Sequence, residues 1–343
     1  MTNKAVRDTF NEVDDIMESF QHTLKKSVRF AGIGLHSGKP VTVAVHPAEV
    51  NSGLRFLRAD LGQQVPTPAF MDRVVDTRLA TTLANDDDAT VATTEHLLSA
   101  IAGLGIDNAL IELHGPEVPI MDGSAAPFVH VLRRVGRERQ QACKWMLKFN
   151  RPVSFAENGR SVRIEPHNGF RITAEIEFDH PMIRRQAVTV EVTPKLFAGE
   201  IASARTFGFL REVEMLRANG LALGGSLDNA VVVGEEGVLN AGGLRYADEF
   251  ARHKVLDLIG DLALLGFPLL GHVIATKSGH TQHLGLMKAV AAHPEAWDIV
   301  AYEKQGESWV LKQLADTTKA AGDRLLPYLM PPSLALAGQR CPA

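Results

Sequence analysis

The sequence predicts an α+β fold made of two similar domains, each with a β-sheet and helices. First, the chain has 343 residues, of which 45% are hydrophobic. Domains average roughly 150 residues, so this length is enough for two cores. Second, strand patterns dominate the beginning of each half and a helix pattern follows near its end, which is typical of helices gathered on one face of a sheet. Third, two short stretches of the first half return in the second half in the same order.

The repeated stretches indicate a duplicated unit. Residues 147–156 resemble residues 24–31, and residues 228–233 resemble residues 107–112. Chance could produce either similarity alone, but a fixed order in both halves is typical of an internal repeat. The mixture of strands and helices in each half does not fit a doubly wound parallel sheet.

The first elements along the chain are a helix and a hairpin. Residues 1–20 predict a helical extension, because apolar residues recur there at helical spacing; these are Phe10, Val13, Ile16 and Met17. Residues 24–31 alternate in character like a strand, residues 32–38 predict a turn, and residues 41–45 predict the returning strand. This segment therefore predicts a β-hairpin.

Two later segments predict boundaries. The charged run at residues 133–141 ends a helix pattern and is the best linker between the domains. After about residue 298 the pattern becomes mixed and ends in two prolines, which predicts a peripheral tail. The expected division is an N-terminal extension (residues 1–20), a first domain (21–140), a second domain (141–301) and a C-terminal tail (302–343).

The composition argues against several classes of protein. A net charge of −4 and a pI of about 6.4 lack the basic excess that is typical of nucleic-acid binding. Neither a signal peptide nor a run of about 18 apolar residues is visible, so we expect no stable membrane insertion. The two cysteines, Cys143 and Cys341, lack a paired spacing, which is typical of a reduced, cytoplasmic protein.

A first candidate site lies at the start of a helix pattern at residues 93–104. A threonine can cap this helix, and its buried face would consist of Leu97, Leu98, Ile101 and Leu104. Glu95 and His96 both lie in the first turn, although adjacent side chains on a helix point in different directions. By itself, such a pair is more often an exposed polar pair than a functional site.

A stripe of polar residues marks a second helix, predicted over residues 249–265. His253, Asp257 and Asp261 follow one another at intervals of four and therefore share one face, while the surrounding residues are largely apolar. Buried carboxylates are costly unless they are paired or bind a metal. Together with His96, the histidine and the first aspartate would form the open site of a catalytic zinc ion. A solvated array of ion pairs explains the helix alone equally well.

Two more segments carry candidate residues. His280 follows a strand pattern, in a glycine-containing loop at residues 276–283. A loop histidine can reach a site and hold a proton near neutral pH, although most loop histidines have no such role. Residues 203–209 begin an apolar unit in which a helix lies between two short strands. This unit could close over an apolar ligand, or it could be a satellite of the core.

Several ordered motifs together resemble the UDP-3-O-acyl-N-acetylglucosamine deacetylase family, whose reaction commits Gram-negative bacteria to lipid A synthesis. The resemblance covers about residues 21–301, and its motifs are Gly34-Leu-His36-Ser-Gly38, Thr94-Glu-His-Leu-Leu-Ser99, Val118-Pro-Ile-Met-Asp-Gly-Ser124, residues 203–209, His253-Lys-x-x-Asp257 and Lys277-Ser-Gly-His280. It implies two domains packed as a β-α-α-β sandwich, with one insert per domain. The insert at about residues 206–229 would form a passage for the acyl chain, with a lining that includes Phe207, Phe209, Leu210, Val213, Ala230 and Val232.

The resemblance also implies roles for the matching residues. One zinc ion per chain, with iron(II) as an alternative, would be held by His96, His253 and Asp257. Glu95 would be the general base, and His280, oriented by Asp261, would be the general acid. The Thr206 hydroxyl would stabilise the oxyanion of the tetrahedral intermediate. Contacts to the sugar or the diphosphate would come from Lys254 and Lys277, and His36 would lie near the nucleotide end of the substrate.

The expected ligand is a small molecule, UDP-3-O-acyl-N-acetylglucosamine, and the expected enzyme is a monomer without a nucleic-acid partner. One position departs from the family pattern, because Ala222 stands where some members have a cysteine outside the catalytic group. The alternative is a non-catalytic nucleotide or nucleic-acid binding protein on the same duplicated fold, which predicts a basic surface. A fusion with a dehydratase would need a further domain, and another metal amidohydrolase would not share these motifs.

Overall fold

The computed structural model describes residues 19–181, 183–305 and 308–313. The elements of the first half are β1 (Phe20–Leu24), β2 (Val28–Ile33), β3 (Pro40–Pro47), β4 (Leu54–Arg58), β5 (Thr67–Pro68), β6 (Val74–Asp76), β7 (Thr82–Ala84), β8 (Thr90–Val91), α1 (Glu95–Gly103), β9 (Ala109–His114), α2 (Ala126–Val135) and β10 (Arg137–Cys143). Those of the second half are β11 (Met146–Phe149), β12 (Val153–Glu157), β13 (Arg160–Glu165), β14 (Phe170–Glu177), β15 (Arg185–Glu191), α3 (Pro194–Leu196), β16 (Phe207–Phe209), α4 (Leu210–Ala218), β17 (Val231–Val233), α5 (Glu249–Leu262), β18 (Leu269–Thr276), α6 (His280–Ala292), β19 (Trp297–Gln305) and β20 (Ser308–Gln313).

Five strands form the sheet of the first half, in the order β2-β3-β9-β4-β5. β3 is antiparallel to β2 and to β9, whereas β4 runs parallel to β9. The valines at 41, 43 and 45 are buried, whereas on the other face Thr42 is exposed and the small Ala44 is buried. The valines therefore form the face that packs on the core. The predicted hairpin is confirmed as β2 and β3, but it starts at Val28, because Leu24 belongs to β1.

The second half repeats this strand order within an eight-stranded sheet. β12 and β13 are antiparallel, β13 and β18 are antiparallel, β18 and β14 are parallel, and β14 and β15 are antiparallel. The order β12-β13-β18-β14-β15 thus matches the first sheet strand for strand, which confirms the duplication. The predicted similarity of residues 228–233 to residues 107–112 was misleading, because the structural counterpart of β9 is β18, whereas β17 pairs with β16.

Helices lie between the two sheets, as the expected β-α-α-β sandwich requires. α2 packs on α1 and on β2, while α5 and α6 pack on each other and on strands of the second sheet. The two layers meet where α1 crosses α5, and a Cβ atom added to Gly260 would lie 2.0 Å from the Glu95 carbonyl oxygen. The glycine therefore allows the close approach of the two helices that carry the candidate site. Within the described part of the chain, no helix has the length and apolarity needed to cross a membrane.

Each half carries one insert at the same point of its strand order. In the first half, β6, β7 and β8 form a small sheet between β5 and α1. In the second half, α3, β16, α4 and β17 lie between β15 and α5, and β16 pairs in parallel with β17. The prediction of a helix between two short strands is confirmed, and both inserts enter the chain just before a helix of the central layer.

The predicted linker is a strand. The charged run at residues 133–141 includes the end of α2, after which residues from Arg137 onward form β10 and pair antiparallel with β1. Most side chains of β10 are exposed or half-buried, so a charged sequence is compatible with this strand. The prediction failed because the partner strand lies more than a hundred residues earlier in the sequence and carries no local signal.

The two ends of the chain also differ from expectation. Residues 1–18, most of the predicted helical extension, lie outside the described part, and Phe20 begins β1 instead of ending a helix. The tail predicted from residue 302 onward begins inside β19, which pairs with β11 and with β20. The described residues up to Gln313 are therefore part of the second sheet and not peripheral, while residues 314–343 lie outside the described part.

Candidate active site

Helix α5 directs three polar side chains into the centre of the molecule, because His253, Asp257 and Asp261 are spaced at intervals of four. His253 and Asp257 are each 2% exposed and Asp261 is 1% exposed. The stripe is therefore buried, and the alternative of a solvated ion-pair array is wrong. Each of the two buried carboxylates needs compensating partners, and each has them.

His96, in the first turn of α1, meets two of these side chains at one point. The Nε2 atoms of His253 and His96 lie 3.2 and 3.5 Å from Asp257 Oδ1. His253 Nδ1 lies 3.1 Å from the Ala204 carbonyl oxygen, so the nitrogen proton sits on Nδ1 and Nε2 carries the lone pair. His96 Nδ1 is buried and has no hydrogen-bond partner among the described residues.

This group fits a divalent metal ion. Two ligands of a tetrahedral zinc ion, each at about 2.0–2.1 Å from the metal, lie about 3.3 Å from each other, which is close to the two distances to Asp257 Oδ1. The three side chains each offer a ligand atom within 4.8 Å of the others. A second buried group consists of Asp261, His280 and His283, but its contacts of 2.7 and 2.6 Å are hydrogen bonds and are too short for two ligands of one ion.

The protonation states of the first group suit metal binding. Burial lowers the pKa of His253 to about 3, so its ring is neutral. Burial alone would raise the pKa of Asp257, but its contacts with His253, Lys254 and His96 hold it well below the usual range. Lys254 Nζ lies 2.8 Å from Asp257 Oδ2. A neutral imidazole and an ionised carboxylate are the forms that a metal ion requires.

The side chains of His96, His253 and Asp257 are called the metal group below. Glu95, the first residue of α1, lies beside this group without belonging to it. It is 4% exposed, so the Glu95–His96 pair is not the exposed pair that such a sequence more often forms. Its Oε2 accepts a hydrogen bond from the Thr81 backbone N–H at 3.0 Å. Burial raises the pKa of Glu95 against the attraction of His280 and His96. A raised pKa makes this carboxylate a stronger base.

Asp261 holds two histidines through one carboxylate oxygen. Its Oδ2 accepts hydrogen bonds from His280 Nδ1 at 2.7 Å and from His283 Nδ1 at 2.6 Å. Burial would lower the pKa of His280, but the charge and hydrogen bond of Asp261 raise it to about 9, so His280 is protonated at neutral pH. The prediction of a loop was wrong here, because His280 begins α6 directly after Gly279.

Thr81 connects Glu95 and Asp261 through hydrogen bonds, and sequence reasoning missed it. Its N–H donates to Glu95, and its hydroxyl donates to Asp261 Oδ1 at 2.6 Å. Its carbonyl oxygen accepts a hydrogen bond from the Thr94 hydroxyl at 3.1 Å, so Thr94 does not cap α1 with its side chain as the threonine pattern predicts. Thr81 lies 180 residues from Asp261 in the sequence, and only the fold brings the two together.

Arg205 and Glu249 form a buried ion pair where α5 begins, which sequence reasoning also missed. Arg205 Nε and Nη2 lie 2.8 and 3.1 Å from the two oxygens of Glu249. The same carboxylate accepts the backbone N–H groups of Arg205 at 3.0 Å and of Arg245 at 2.6 Å. Because Ala204 precedes Arg205 and accepts the hydrogen bond from His253, the ion pair fixes the backbone that orients a candidate metal ligand.

Thr206 is held by backbone hydrogen bonds on both sides. Its N–H donates to the Gly123 carbonyl at 2.8 Å, and its own carbonyl accepts from the Val231 N–H at 2.7 Å. Gly123 has a φ of +85°, and a Cβ atom there would lie 2.1 Å from the Asn229 carbonyl oxygen, so this turn requires glycine. The motif at residues 118–124 of the first half therefore supports the position of Thr206 in the second.

The predicted passage residues extend from the metal group toward the surface. The ring centroid of Phe207 lies 6.3 Å from that of His253. Phe209 is buried, Val213 is half-buried, and Leu210 is 41% exposed. Phe207 itself is half-buried. Partly exposed apolar side chains beside the candidate metal ligands are compatible with a passage for a hydrocarbon chain.

Lys277 lies at a cavity of about 780 Å³ beside the end of β14. The lining includes the aromatic ring of Phe178 and the cationic side chains of Arg184, Arg185 and Lys277. Lys277 also pairs with Glu177, which lines the same cavity. An aromatic ring next to several cations suits a ligand that carries both a planar base and a phosphate group.

His36 lies where the first half meets the insert of the second. Its carbonyl accepts the Leu223 N–H at 3.3 Å, and its own N–H donates to the buried Glu117 carboxylate at 3.0 Å. Both of its ring nitrogens are buried without a hydrogen-bond partner among the described residues. Burial lowers the pKa of His36, against the charge of Glu117, so the ring is neutral and can donate one hydrogen bond and accept another.

Comparisons with known proteins agree with this geometry. The family model of UDP-3-O-acyl N-acetylglycosamine deacetylase (LpxC) matches residues 21–292. A UDP-3-O-acyl-N-acetylglucosamine deacetylase of Shewanella halifaxensis (strain HAW-EB4) is 46% identical over 291 residues, which cover 84% of this chain and 95% of that protein. Proteins of the same name from Shewanella sp. (strain W3-18-1) and Shewanella baltica (strain OS155 / ATCC BAA-1091) are 47% identical over 290 residues, with the same coverage. With its duplicated sandwich and buried His–Asp group, the chain belongs to the UDP-3-O-acyl N-acetylglycosamine deacetylase family.

Proposed function

We propose that this chain hydrolyses the N-acetyl group of UDP-3-O-acyl-N-acetylglucosamine to acetate and the free amine, the committed step of lipid A biosynthesis. The observation that carries the proposal is the buried group of His96, His253 and Asp257, with Glu95 and His280 beside it. Family membership supports the substrate. In the roles proposed here, these residues would supply the parts that amide hydrolysis needs, which are metal ligands, a base and a proton donor.

His96, His253 and Asp257 would hold one metal ion per chain. We propose zinc, because two imidazole nitrogens and one carboxylate oxygen are a typical ligand set of catalytic zinc. Iron(II) is the alternative, since the same ligands suit it. When bound, the ion supplies Lewis-acid chemistry that polarises the amide carbonyl and acidifies water. The Ala204 carbonyl keeps His253 in the tautomer that presents Nε2 to the ion.

Two side chains would move protons and a third would stabilise charge. Glu95, whose pKa is raised by burial, would take a proton from the attacking water. His280, kept protonated by Asp261, would give its proton to the amine nitrogen as the carbon–nitrogen bond breaks. The Thr206 hydroxyl would donate a hydrogen bond to the oxyanion, and its fixed backbone supports this role because a donor held in place needs no reorganisation.

The rest of the substrate would bind on both sides of the amide. The acyl chain would follow Phe207, Phe209, Leu210 and Val213 toward the surface. Lys254 would contact the sugar, supported by its position against Asp257. His36 would contact the substrate near its nucleotide end, supported by ring nitrogens that have no hydrogen-bond partner among the described residues. Lys277 would contact the diphosphate, supported by the other cations of its cavity, Arg184 and Arg185.

We further propose that the enzyme is a cytoplasmic monomer without a nucleic-acid partner. The net charge of −4 supports the absence of nucleic-acid binding. The division into domains at residues 21–140 and 141–301 is supported by the repeated strand order. Because β10 pairs with β1, we extend the first domain to Cys143.

The test is deacetylation of UDP-3-O-acyl-N-acetylglucosamine by the purified protein, before and after chelation, with metal content measured in parallel. We expect activity at about one metal ion per chain, its loss on chelation and its return on adding zinc. If activity returned with iron(II) alone, under anaerobic conditions, the proposed ion would be iron(II) and not zinc. A metal-loaded, folded protein that binds the substrate without turnover would overturn the proposal in favour of the binding-protein alternative.

A further inference from the structure

His283 is a buried histidine that the proposed reaction does not use. It is 1% exposed and lies in the first turn of α6, three residues after His280. Its Nδ1 shares Asp261 Oδ2 with His280 Nδ1, at 2.6 and 2.7 Å respectively. A buried histidine on the carboxylate that orients the proposed acid is placed to influence that acid.

The contacts of His283 define its protonation state. Burial lowers the pKa of His283 against the attraction of Asp261, so the ring is neutral and carries a single N–H. An ionised carboxylate accepts hydrogen bonds and donates none, so the proton lies on Nδ1, toward Asp261. Nε2 then accepts a hydrogen bond from the Ser278 hydroxyl at 3.0 Å. His283 is therefore a fixed, uncharged donor to Asp261.

Several hydrogen-bond donors share the carboxylate of Asp261. Oδ1 accepts the Thr81 hydroxyl at 2.6 Å, and Oδ2 accepts both histidines. The titratable groups that act on His280 are, among the described residues, Asp261 and Asp257 from α5, Glu95 from α1 and His283 from α6. A hydrogen bond to a carboxylate stabilises its charge and weakens its hold on any other proton donor.

We propose that His283 is a positioning residue that limits how strongly Asp261 retains the proton on His280, so that His280 releases it within the working pH range. The inference rests on the deacetylase function proposed above, in which His280 is the general acid. In the absence of His283, Asp261 would concentrate its charge on His280. The imidazolium would then be more stable, and proton transfer to the leaving amine would be less favourable.

The test compares two variants of the metal-loaded full-length protein. His283→Asn keeps an N–H donor attached at the same position as Nδ1, whereas His283→Leu has nearly the same shape as Asn without the donor. Titration of His280 is followed by NMR of the protein with isotope-labelled histidine, and its signal is assigned by its loss in His280→Asn. The alkaline limb of kcat/KM is measured in parallel. If His283→Leu does not fold, His283→Met replaces it, since methionine fills an irregular space without an N–H.

We expect His283→Leu to raise the titration midpoint of His280 by about one pH unit, and to move the alkaline fall of kcat/KM to higher pH by the same amount. His283→Asn should leave both values near those of the wild-type protein. An unchanged or lowered midpoint in His283→Leu, or the same shift in both variants, would overturn the proposal. The NMR midpoint needs no substrate. A shifted midpoint in a protein without deacetylase activity would therefore uphold the influence of His283 on His280 and reject only the proposed function.

Discussion

The side chain of Glu95 is buried, accepts a hydrogen bond from the Thr81 N–H and lies beside the metal group. Glu95→Gln keeps the size of the residue and an oxygen for the Thr81 hydrogen bond, but it removes the proposed base. We expect kcat to fall by about 10²–10⁴-fold, while metal content stays unchanged because Glu95 is not a ligand. Steady-state kinetics and metal analysis on one preparation check this prediction. Undiminished turnover would remove Glu95 from the proposed mechanism.

The raised pKa of His280 predicts how activity and stability depend on pH. Burial lowers its pKa, but Asp261 more than compensates and raises it from 6.5 to about 9. Since the folded state binds this proton more tightly than the unfolded chain, the stabilisation is fully present below about pH 6.5 and is lost as the pH rises through about 9. The rate constant kcat/KM should fall over the same alkaline range, because the proposed general acid loses its proton.

The check is a pH profile of kcat/KM together with urea unfolding from neutral to alkaline pH. His280→Asn should lower activity. It should also remove the part of the alkaline loss of stability that comes from the pairing of His280 with Asp261. Wild type and His280→Asn losing stability equally above neutral pH would contradict the assignment. The difference between the two proteins isolates the effect of His280, because every other titrating group is common to both.

Sequence reasoning found the residues that share a local pattern and missed those that do not. His253, Asp257 and Asp261 were predictable because helical spacing places them on one face of α5. Thr81 and Glu249 were not predictable, because they reach their partners across 180 and 44 residues respectively. The roles of Glu95, Thr206 and His280 came from family resemblance and remain predictions.

At the scale of helices and strands, the crossing of α1 and α5 depends on Gly260. A Cβ atom there would lie 2.0 Å from the Glu95 carbonyl oxygen, which is backbone and cannot move alone. Gly260→Ala should push the helices apart, separate His96 from Asp257, weaken metal binding and cost about 1–3 kcal/mol of folding free energy. Metal titration and urea unfolding measure the two effects.

The control for this variant is Gly199→Ala, because a Cβ atom at Gly199 meets no atom within 4 Å. It should leave metal affinity unchanged. Equal metal affinity in Gly260→Ala and wild type would show that the helix crossing tolerates a methyl group and does not set the distance between the ligands.

The predictable elements were those with a clear period. α1, α5 and the β2–β3 hairpin follow hydrophobic patterns of their own, and the structure confirms them. β10 was missed because a charged sequence hides a strand whose partner is β1. The strand β19 was missed because its pairing with β11 depends on the whole second sheet, and not on a local alternation.

At the scale of the whole molecule, the three candidate metal ligands come from both halves. His96 belongs to the first half, and His253 and Asp257 belong to the second. An ion that binds only the folded chain should stabilise it by about 2.7 kcal/mol at a free concentration of 100 times its Kd. Thermal unfolding with zinc and with chelator should therefore give a higher Tm with zinc.

His96→Ala is the matched variant for this measurement, since it removes the only one of the three ligands that the first half provides. It should lose most of the zinc-dependent increase in Tm while keeping a similar Tm in chelator. An equal Tm for the wild-type protein with zinc and with chelator would contradict a metal that bridges the halves.

The matching strand orders, β2-β3-β9-β4-β5 and β12-β13-β18-β14-β15, have a consequence for the history of this molecule. An ancestor with one such unit would have needed a second copy of itself to cover its helices, and every side chain at the junction would have occurred twice. Two units within one chain are free of that symmetry, because each can carry its own residues. One holds Glu95 and His96, and the other holds His253 and Asp257. The candidate site is therefore asymmetric although the two folds that carry it match.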